Sequence, residues 1–280
     1  MNAIEMKNVT KHWPGYTLQD LTWSVPEGMI MGLVGENGAG KSTIMRILLG
    51  MIRQDSGTAE VLGQTDLRAH PGIKEEIGVV MDDVNLPSAM KMNEIGMIMK
   101  GIYKNWDEDR YRELIRTLKI PEDKTFSQMS RGNKMKAGIA CAMSHRPRLL
   151  LLDEATSGLD PVVRDELLDI LLDFTREENH TVLLSSHIVS DLEKVCDYVS
   201  FLHEGKMILV EEKDRIKELY GTLHCTAEEL AELDPEALVG TRTTPYGIDA
   251  IVRKDRIPEM ETGTVDIEDL FVFMVKGDKK

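Results

Sequence analysis

The chain has 280 residues, 42% of them hydrophobic, which is enough to bury one large core or two unequal cores. Its formal net charge of −14 argues against a protein that grips nucleic acid through the backbone, so we expect no nucleic-acid partner. No apolar run reaches the roughly 18–20 residues that cross a bilayer. Met1 is not followed by a signal-peptide pattern, and the three cysteines lack metal-ligand spacing, which favours a cytosolic protein with reduced thiols.

The first informative segment is an apolar stretch from Met29 to Val34, followed by glycines and a helical pattern over Lys41–Leu49. This order predicts a strand, a glycine loop and a helix, and the loop fits G-x-x-x-x-G-K-[ST]. Such a loop turns its backbone N–H groups and the helix N-terminus toward phosphate. Lys41 is expected to reach the β- and γ-phosphates, and Ser42 to ligate Mg²⁺. The predicted nucleotide-binding residues are Gly35, Glu36, Asn37, Gly38, Ala39, Gly40, Lys41, Ser42 and Thr43.

The middle of the chain has mostly helical patterns. From Asp107 to Ile120, apolar residues recur on one stripe, and acidic residues occupy the first turn, where the helix dipole favours them. A second helix is predicted over Lys134–Met143.

A fully apolar strand is predicted over Leu149–Leu152 and is followed by two carboxylates, Asp153 and Glu154. Ligand sites in α/β proteins lie at the carboxyl ends of such strands. Asp153 suits Mg²⁺, and Glu154 suits a general base for an attacking water.

The pattern then alternates between helix and strand, which predicts a largely parallel sheet. We expect helices over Pro161–Glu178 and Ile188–Val195, and strands over Thr181–Ser185 and Tyr198–Leu202.

After Gly221 the composition becomes acidic, with seven Lys/Arg and thirteen Asp/Glu over residues 222–280. We expect this segment to be a small separate subdomain. Its predicted elements are a helix over Ala227–Leu233, strands over Leu238–Arg242 and Ile248–Arg253, and a helix over Ile267–Val275.

With these motifs in order, the chain from about residue 3 to 221 resembles the ATP-binding subunit of an ABC transporter. The run LLLLDEATSGLD matches the family's Walker B strand and D-loop, whose last residue, Asp160, is implied to bind nucleotide. His187, in SSHIVSDLE, matches the switch histidine that contacts the γ-phosphate. The resemblance implies an α/β P-loop NTPase with a RecA-like core, an antiparallel β subdomain and a helical subdomain at about 85–147, here followed by a small α+β extension.

The family's signature, LSGGQ, corresponds to Met129-Ser130-Arg131-Gly132-Asn133. The resemblance implies that Ser130, Gly132 and Asn133 bind the γ-phosphate held by another subunit. One phosphate loop and one signature per chain then imply a head-to-tail pair enclosing two ATP molecules. Arg131 and Asn133 depart from the usual pattern.

The Q-loop shows the larger departure, because Ile77–Asp82 matches a segment that normally ends in glutamine. Ionised aspartate accepts hydrogen bonds but does not donate them. We expect Asp82 to be a functional substitute that ligates Mg²⁺, brings a third carboxylate to Asp153 and Glu154, and couples to the membrane partner.

The resemblance also implies an aromatic side chain that stacks on adenine some 25 residues before the phosphate loop. Trp13 matches this position best, and Tyr16 is the alternative.

Taken together, these motifs favour an ATP-hydrolysing, Mg²⁺-dependent subunit of an ABC exporter at the inner face of the cell membrane. It resembles a bacterial subgroup linked to antimicrobial-peptide or toxin export or antibiotic response. The expected partners are a second copy or a paralogous ATPase, and a separate integral membrane subunit. An importer, or a soluble or regulatory ABC ATPase that does not energise transport, remains the alternative.

Overall fold

The structure is a computed structural model that describes residues 1–177 and 179–277. Contacts divide the chain into two compact units, one covering Met1–Val210 and the other beginning at Glu211. The sequence placed the boundary after Gly221, whereas the structure places it earlier. The reason is that the strand starting at Tyr220 pairs with the strand ending at Arg253, and the helix Lys213–Leu219 packs on that strand, which attaches both to the second unit.

The strands that begin in the first unit are β1 (Asn2–Trp13), β2 (Tyr16–Pro26), β3 (Ile30–Gly35), β4 (Ser56–Val61), β5 (Ile77–Val80), β6 (Leu149–Asp153), β7 (Thr181–Ser186), β8 (Tyr198–His203) and β9 (Lys206–Glu212). Its helices are α1 (Lys41–Leu48), α2 (Met92–Ile102), α3 (Glu108–Thr117), α4 (Arg131–Met143), α5 (Pro161–Thr175) and α6 (Val189–Val195). The second unit contains α7 (Lys213–Leu219), β10 (Tyr220–Cys225), α8 (Ala227–Glu232), β11 (Leu238–Thr244), β12 (Gly247–Arg253) and α9 (Ile267–Lys276).

A six-stranded sheet with the order β5-β6-β7-β3-β8-β9 forms the centre of the first unit. The pairs from β5 through to β8 are parallel, and β3, β5, β6, β7 and β8 are largely buried. Helix α4 packs on β5, α1 on β3 and β6, and α5 and α6 on β7. Because parallel strands end at one edge of a sheet, Gly35, Asp153 and Ser186 arrive at the same edge.

A second, antiparallel sheet with the order β2-β1-β4 shares a hydrophobic core with α1 and the central sheet. Helices α2, α3 and α4 pack together and lie within residues 85–147. The second unit has an antiparallel sheet in the order β10-β12-β11, on which α9 and α8 pack. The predicted fold class, an α/β cassette with an α+β extension, is therefore confirmed.

Most predicted helix bounds shift by one to three residues, including those of α4 and α5. Helix α4 begins at Arg131 rather than Lys134, because the Ser130 hydroxyl accepts a hydrogen bond from the Asn133 N–H and caps the first turn. Helix α5 ends at Thr175. Its predicted last residue, Glu178, lies outside the described residues.

Across residues 1–177 and 179–277, helices that combine the length and the apolar character needed to cross a bilayer are absent.

Candidate active site

The phosphate loop lies between β3 and α1, as predicted. Gly35 ends β3, residues 36–40 form the loop, and Lys41, Ser42 and Thr43 make the first turn of α1. Gly38 and Gly40 have φ values of +85° and +114°, in the region that favours glycine. A Cβ at Gly40 would also lie 1.9 Å from the Tyr16 hydroxyl oxygen, so glycine is required there on two grounds.

Tyr16 holds this loop through a hydrogen bond to its backbone. Its hydroxyl donates a hydrogen bond of 2.7 Å to the Ala39 carbonyl, and burial raises the pKa of the phenol to about 12. The sequence proposed Tyr16 as the alternative adenine-stacking residue. The structure shows that its hydroxyl holds the phosphate loop, and stacking of its ring on adenine stays a prediction.

Lys41 is buried at the centre of the site, with 5% of its surface exposed. Its ammonium donates hydrogen bonds to the carbonyls of Gly35 (2.6 Å) and Glu36 (3.3 Å), and it forms an ion pair with the Glu154 carboxylate at 3.0 Å. Since an ammonium group has three donors, an arriving phosphate would exchange some of these contacts.

Glu154 joins Lys41 to the predicted switch histidine. The Nδ1 of His187 lies 2.6 Å from one oxygen of the carboxylate, and Lys41 faces the other. The Glu154 backbone is left-handed, with φ +53°. Its N–H donates to the hydroxyl and the carbonyl of Ser185 on β7, which holds this uncommon conformation. The structure thus brings together three predicted catalytic residues.

Asp153 ends β6 and is 2% exposed. It accepts a hydrogen bond of 2.6 Å from the Ser185 hydroxyl, which fixes one carboxylate oxygen. A fixed carboxylate at a strand end, with the Ser42 hydroxyl at the start of α1, supplies the oxygen ligands that Mg²⁺ prefers, so the residues fit this ion. Ser185 itself was not predicted as a site residue. Its only sequence signal was a hydroxyl at the end of a buried strand.

The expectation that Asp82 adds a third carboxylate to the site differs from what is observed. Within residues 1–177 and 179–277, clusters of three or more acidic, histidine or cysteine side chains that could hold a metal are lacking. Asp82 instead pairs with Arg131 at 3.0 Å, and both side chains are about half exposed. This ion pair engages one oxygen of the Asp82 carboxylate and directs it toward Arg131.

The signature residues lie at the start of α4. Ser130 is its N-cap, and Gly132 and Asn133 are in its first turn. A Cβ at Gly132 would contact Val163 of α5 at 3.4 Å, so the signature turn packs on the segment that follows the Walker B loop.

Asp160 and Trp13 complete the predicted set. Asp160 is the N-cap of α5 and accepts hydrogen bonds from the N–H groups of Val162 and Val163. This capping role explains an aspartate at position 160 without any contact to nucleotide, and the contact of Asp160 with nucleotide stays a prediction. Trp13 ends β1 with 44% of its surface exposed, and the Lys11 ammonium lies over its ring, 5.2 Å from the centroid, so stacking of this indole on adenine stays a prediction.

Helices α5 and α6 are joined by an ion pair that is buried on one side. Asp191 of α6 is 2% exposed, and its carboxylate lies 3.7 Å from the Arg164 guanidinium of α5. Burial raises the pKa of Asp191, an effect opposed by the nearby Thr156 hydroxyl and by the charge of Arg164. The helix after His187 is thus linked to the helix after the Glu154 loop.

Comparisons with known proteins agree with this geometry. The family model described as "ABC transporter" matches residues 18–157. The chain is 31% identical over 218 residues to ABC transporter ATP-binding protein YtrB of Bacillus subtilis, covering 78% of this chain and 74% of that protein. It is 35% identical to lantibiotic transport ATP-binding protein SrtF of Streptococcus pyogenes, with 75% of this chain and 91% of that protein covered.

Two further matches are relevant to direction and fold. The chain is 34% identical to methionine import ATP-binding protein MetN 2 of Enterococcus faecalis, with 74% of this chain and 64% of that protein covered. A solved structure of an ATP-binding subunit of an ABC transporter superposes with a TM-score of 0.69 at 25% identity, covering 77% of this chain and 92% of the other.

Proposed function

The chain belongs to the ABC transporter family as a subunit that binds ATP with Mg²⁺ and hydrolyses it, and we propose that it powers an exporter. In this proposal two ATP-binding subunits close head-to-tail around two nucleotides. The closure drives a separate membrane-spanning subunit, and the chain works on the cytoplasmic side of the membrane.

The observation that carries the catalytic part is the placement of Glu154 between Lys41 and His187. A carboxylate at this position can accept a proton from an attacking water. His187 orients that carboxylate, and Lys41 is positioned to contact the phosphate oxygens. Mg²⁺, when held by Ser42 and Asp153, supplies charge neutralisation on the β- and γ-phosphates.

The contacts of the signature turn support the head-to-tail arrangement. Glu154 contacts both Lys41 and His187, whereas the turn at Ser130–Asn133 contacts Asp82, Gly158 and Val163. A capped helix N-terminus with a hydroxyl and a glycine is suited to an anion, and we assign it to the nucleotide of a second subunit.

Export is proposed because of the similarity to a lantibiotic transport protein, which also favours an antimicrobial peptide as cargo. The similarity to a methionine import protein supports the opposite direction, and a transport assay in vesicles distinguishes the two.

The experiment compares the wild-type chain with Glu154→Gln. We expect the variant to lose about 100-fold or more in ATPase rate, because the general base is removed while nucleotide contacts remain. Mg²⁺ and ATP should then convert the variant from monomer to a stable dimer in size-exclusion chromatography with light scattering. Unaltered hydrolysis would overturn the general-base assignment, and a variant that binds ATP as a monomer would overturn the dimer.

A further inference from the structure

Arg131 lies where three loops of the first unit meet. It is the first residue of α4, next to the Ser130 cap. Its guanidinium bonds the Asp82 carboxylate at 3.0 Å, on the loop after β5. It also lies over Gly158, on the loop after Glu154. Asp82 and Arg131, which both depart from the family pattern, are therefore each other's partners.

Gly158 leaves the space that the Arg131 guanidinium occupies. Its φ is +68°, and a Cβ there would lie 3.1–3.3 Å from three atoms of the Arg131 guanidinium. Any side chain at this position would have to shift the arginine or adopt a strained backbone. The flat guanidinium thus spans from Gly158 to Asp82.

The backbone of Arg131 belongs to a helix that is attached to its neighbour. Five residues further along α4, the buried Lys136 pairs with Glu166 of α5 at 2.5 Å, and Gly132 packs against Val163. Because α4 is attached to α5 in this way, we expect a change at Asp82 to act on the Arg131 side chain and the first turn of α4 rather than on the helix as a whole.

Chemistry suggests why an aspartate can replace a glutamine here. An aspartate accepts hydrogen bonds only, and a guanidinium only donates them, so the pair is complementary. Exposed ion pairs contribute little to folding stability, and both of these side chains are about half exposed. The effect of the pair should therefore appear in the position of the signature turn rather than in the stability of the chain.

We propose that Arg131 is a positioning residue that ties the signature turn to the loop after β5, through Asp82, and to the loop after Glu154, over Gly158. Asp82 acts through Arg131 and is not a metal ligand. The pair sets the geometry with which Ser130 and Gly132 meet the nucleotide of the second subunit. This inference rests on the proposed ATP-dependent dimer.

The test is a double-mutant cycle in the Glu154→Gln background, with Arg131→Ala, Asp82→Ala and the double variant. The ATP concentration for half-maximal dimerisation should rise about threefold to fivefold in each single variant. The double variant should need no more ATP than the single variant that dimerises less readily. Binding of a fluorescent ATP analogue to dilute monomer should be unchanged, because the phosphate loop is untouched. Arg131→Lys should recover part of the loss, since the charge remains without the fork.

Lys194→Ala is the matched control. Lys194 pairs with Asp165 at 2.9 Å, and both side chains have an exposure similar to that of the Arg131 pair. This variant should dimerise like its parent. Additive losses in the double variant would overturn the inference, as would an altered Mg²⁺ requirement in Asp82→Ala that Arg131→Ala does not share. Variants that all dimerise like a competent parent would overturn this inference alone, whereas a parent that never dimerises with ATP would overturn the proposed function and the inference with it.

Discussion

At the scale of single residues, Ser185 orders both carboxylates of the site. Its hydroxyl donates to Asp153 at 2.6 Å and accepts from the Glu154 N–H at 3.2 Å. The second bond helps to hold the left-handed backbone of Glu154, a conformation that costs roughly 1–2 kcal/mol for a residue with a Cβ. One hydroxyl on β7 thus links Asp153, the proposed Mg²⁺ ligand, to the backbone of Glu154, the proposed general base.

We therefore expect Ser185→Ala to lower the ATPase rate about tenfold, because both carboxylates lose a fixed position. The free energy of unfolding should fall by about 1–2 kcal/mol. Steady-state hydrolysis and urea unfolding measure the two effects separately.

Ser200 offers a control for this prediction. It is also fully buried, on β8, and donates its hydroxyl to the Gly32 carbonyl at 3.0 Å. Ser200→Ala should cost similar stability and leave the rate per folded molecule unchanged. Equal loss of rate in both variants would contradict a specific role for Ser185.

At the scale of elements, the signature helix α4 is attached to α5 by an ion pair whose lysine is buried. Lys136 is 6% exposed, whereas its partner Glu166 keeps 38% of its side chain exposed. Removal of the partly exposed Glu166 is costly, because it leaves the buried ammonium of Lys136 without a counter-charge. Removal of the charge on the buried Lys136 is tolerated better, because Glu166 is partly solvated.

This asymmetry is testable. Glu166→Ala should lower the free energy of unfolding by about 2 kcal/mol, a value reduced from that of a fully buried pair because Glu166 is partly solvated. Lys136→Met, which fills similar volume without charge, should cost less than about 1 kcal/mol. Glu113→Ala, which breaks an exposed pair with Arg110, is the control and should change little. Urea unfolding that ranks Lys136→Met as the more damaging variant would show that the charge, not its burial, stabilises α4.

At the scale of the whole molecule, the two units have separate cores of unequal size. The core of the first includes the central sheet and α1, whereas that of the second is centred on Ala237, Ala250, Val252 and Ile257. Small cores bury a smaller fraction of their surface and are less stable. We expect the second unit to unfold at a lower denaturant concentration.

The reactivity of the cysteine thiols measures the order in which the two units unfold. Cys141 and Cys196 belong to the first unit and Cys225 to the second, and all three are buried. Burial raises the pKa of the Cys141 thiol to about 12 and also raises that of Cys225, so the native protein should react very slowly with a thiol reagent at pH 8. As urea increases, Cys225 should react first. Comparison with Cys225→Ser assigns the early signal, and simultaneous reaction of all three thiols would mean that the units unfold together.

The sequence predicted the phosphate loop, the Walker B carboxylates and most elements of the second half to within a few residues. These features depend on contiguous residues or on a short period, so they can be read locally. Strands β1 and β2 were not located individually. Their pairing contains register shifts near Met6 and Val9, which interrupt the alternation that marks a strand.

By itself, then, the sequence determined the family and the chemistry, and it predicted the roles of Lys41, Glu154 and His187, because each lies in a motif of fixed local spacing. The tertiary structure alone decided what Tyr16, Ser185, Asp82 and Arg131 contact. Tyr16 meets Ala39, and Asp82 meets Arg131, across stretches of chain whose separation carries no period. Contacts of this kind are fixed by how sheets and helices pack, and so a departure from the family motif at Asp82 acquired its meaning only from the arginine that faces it.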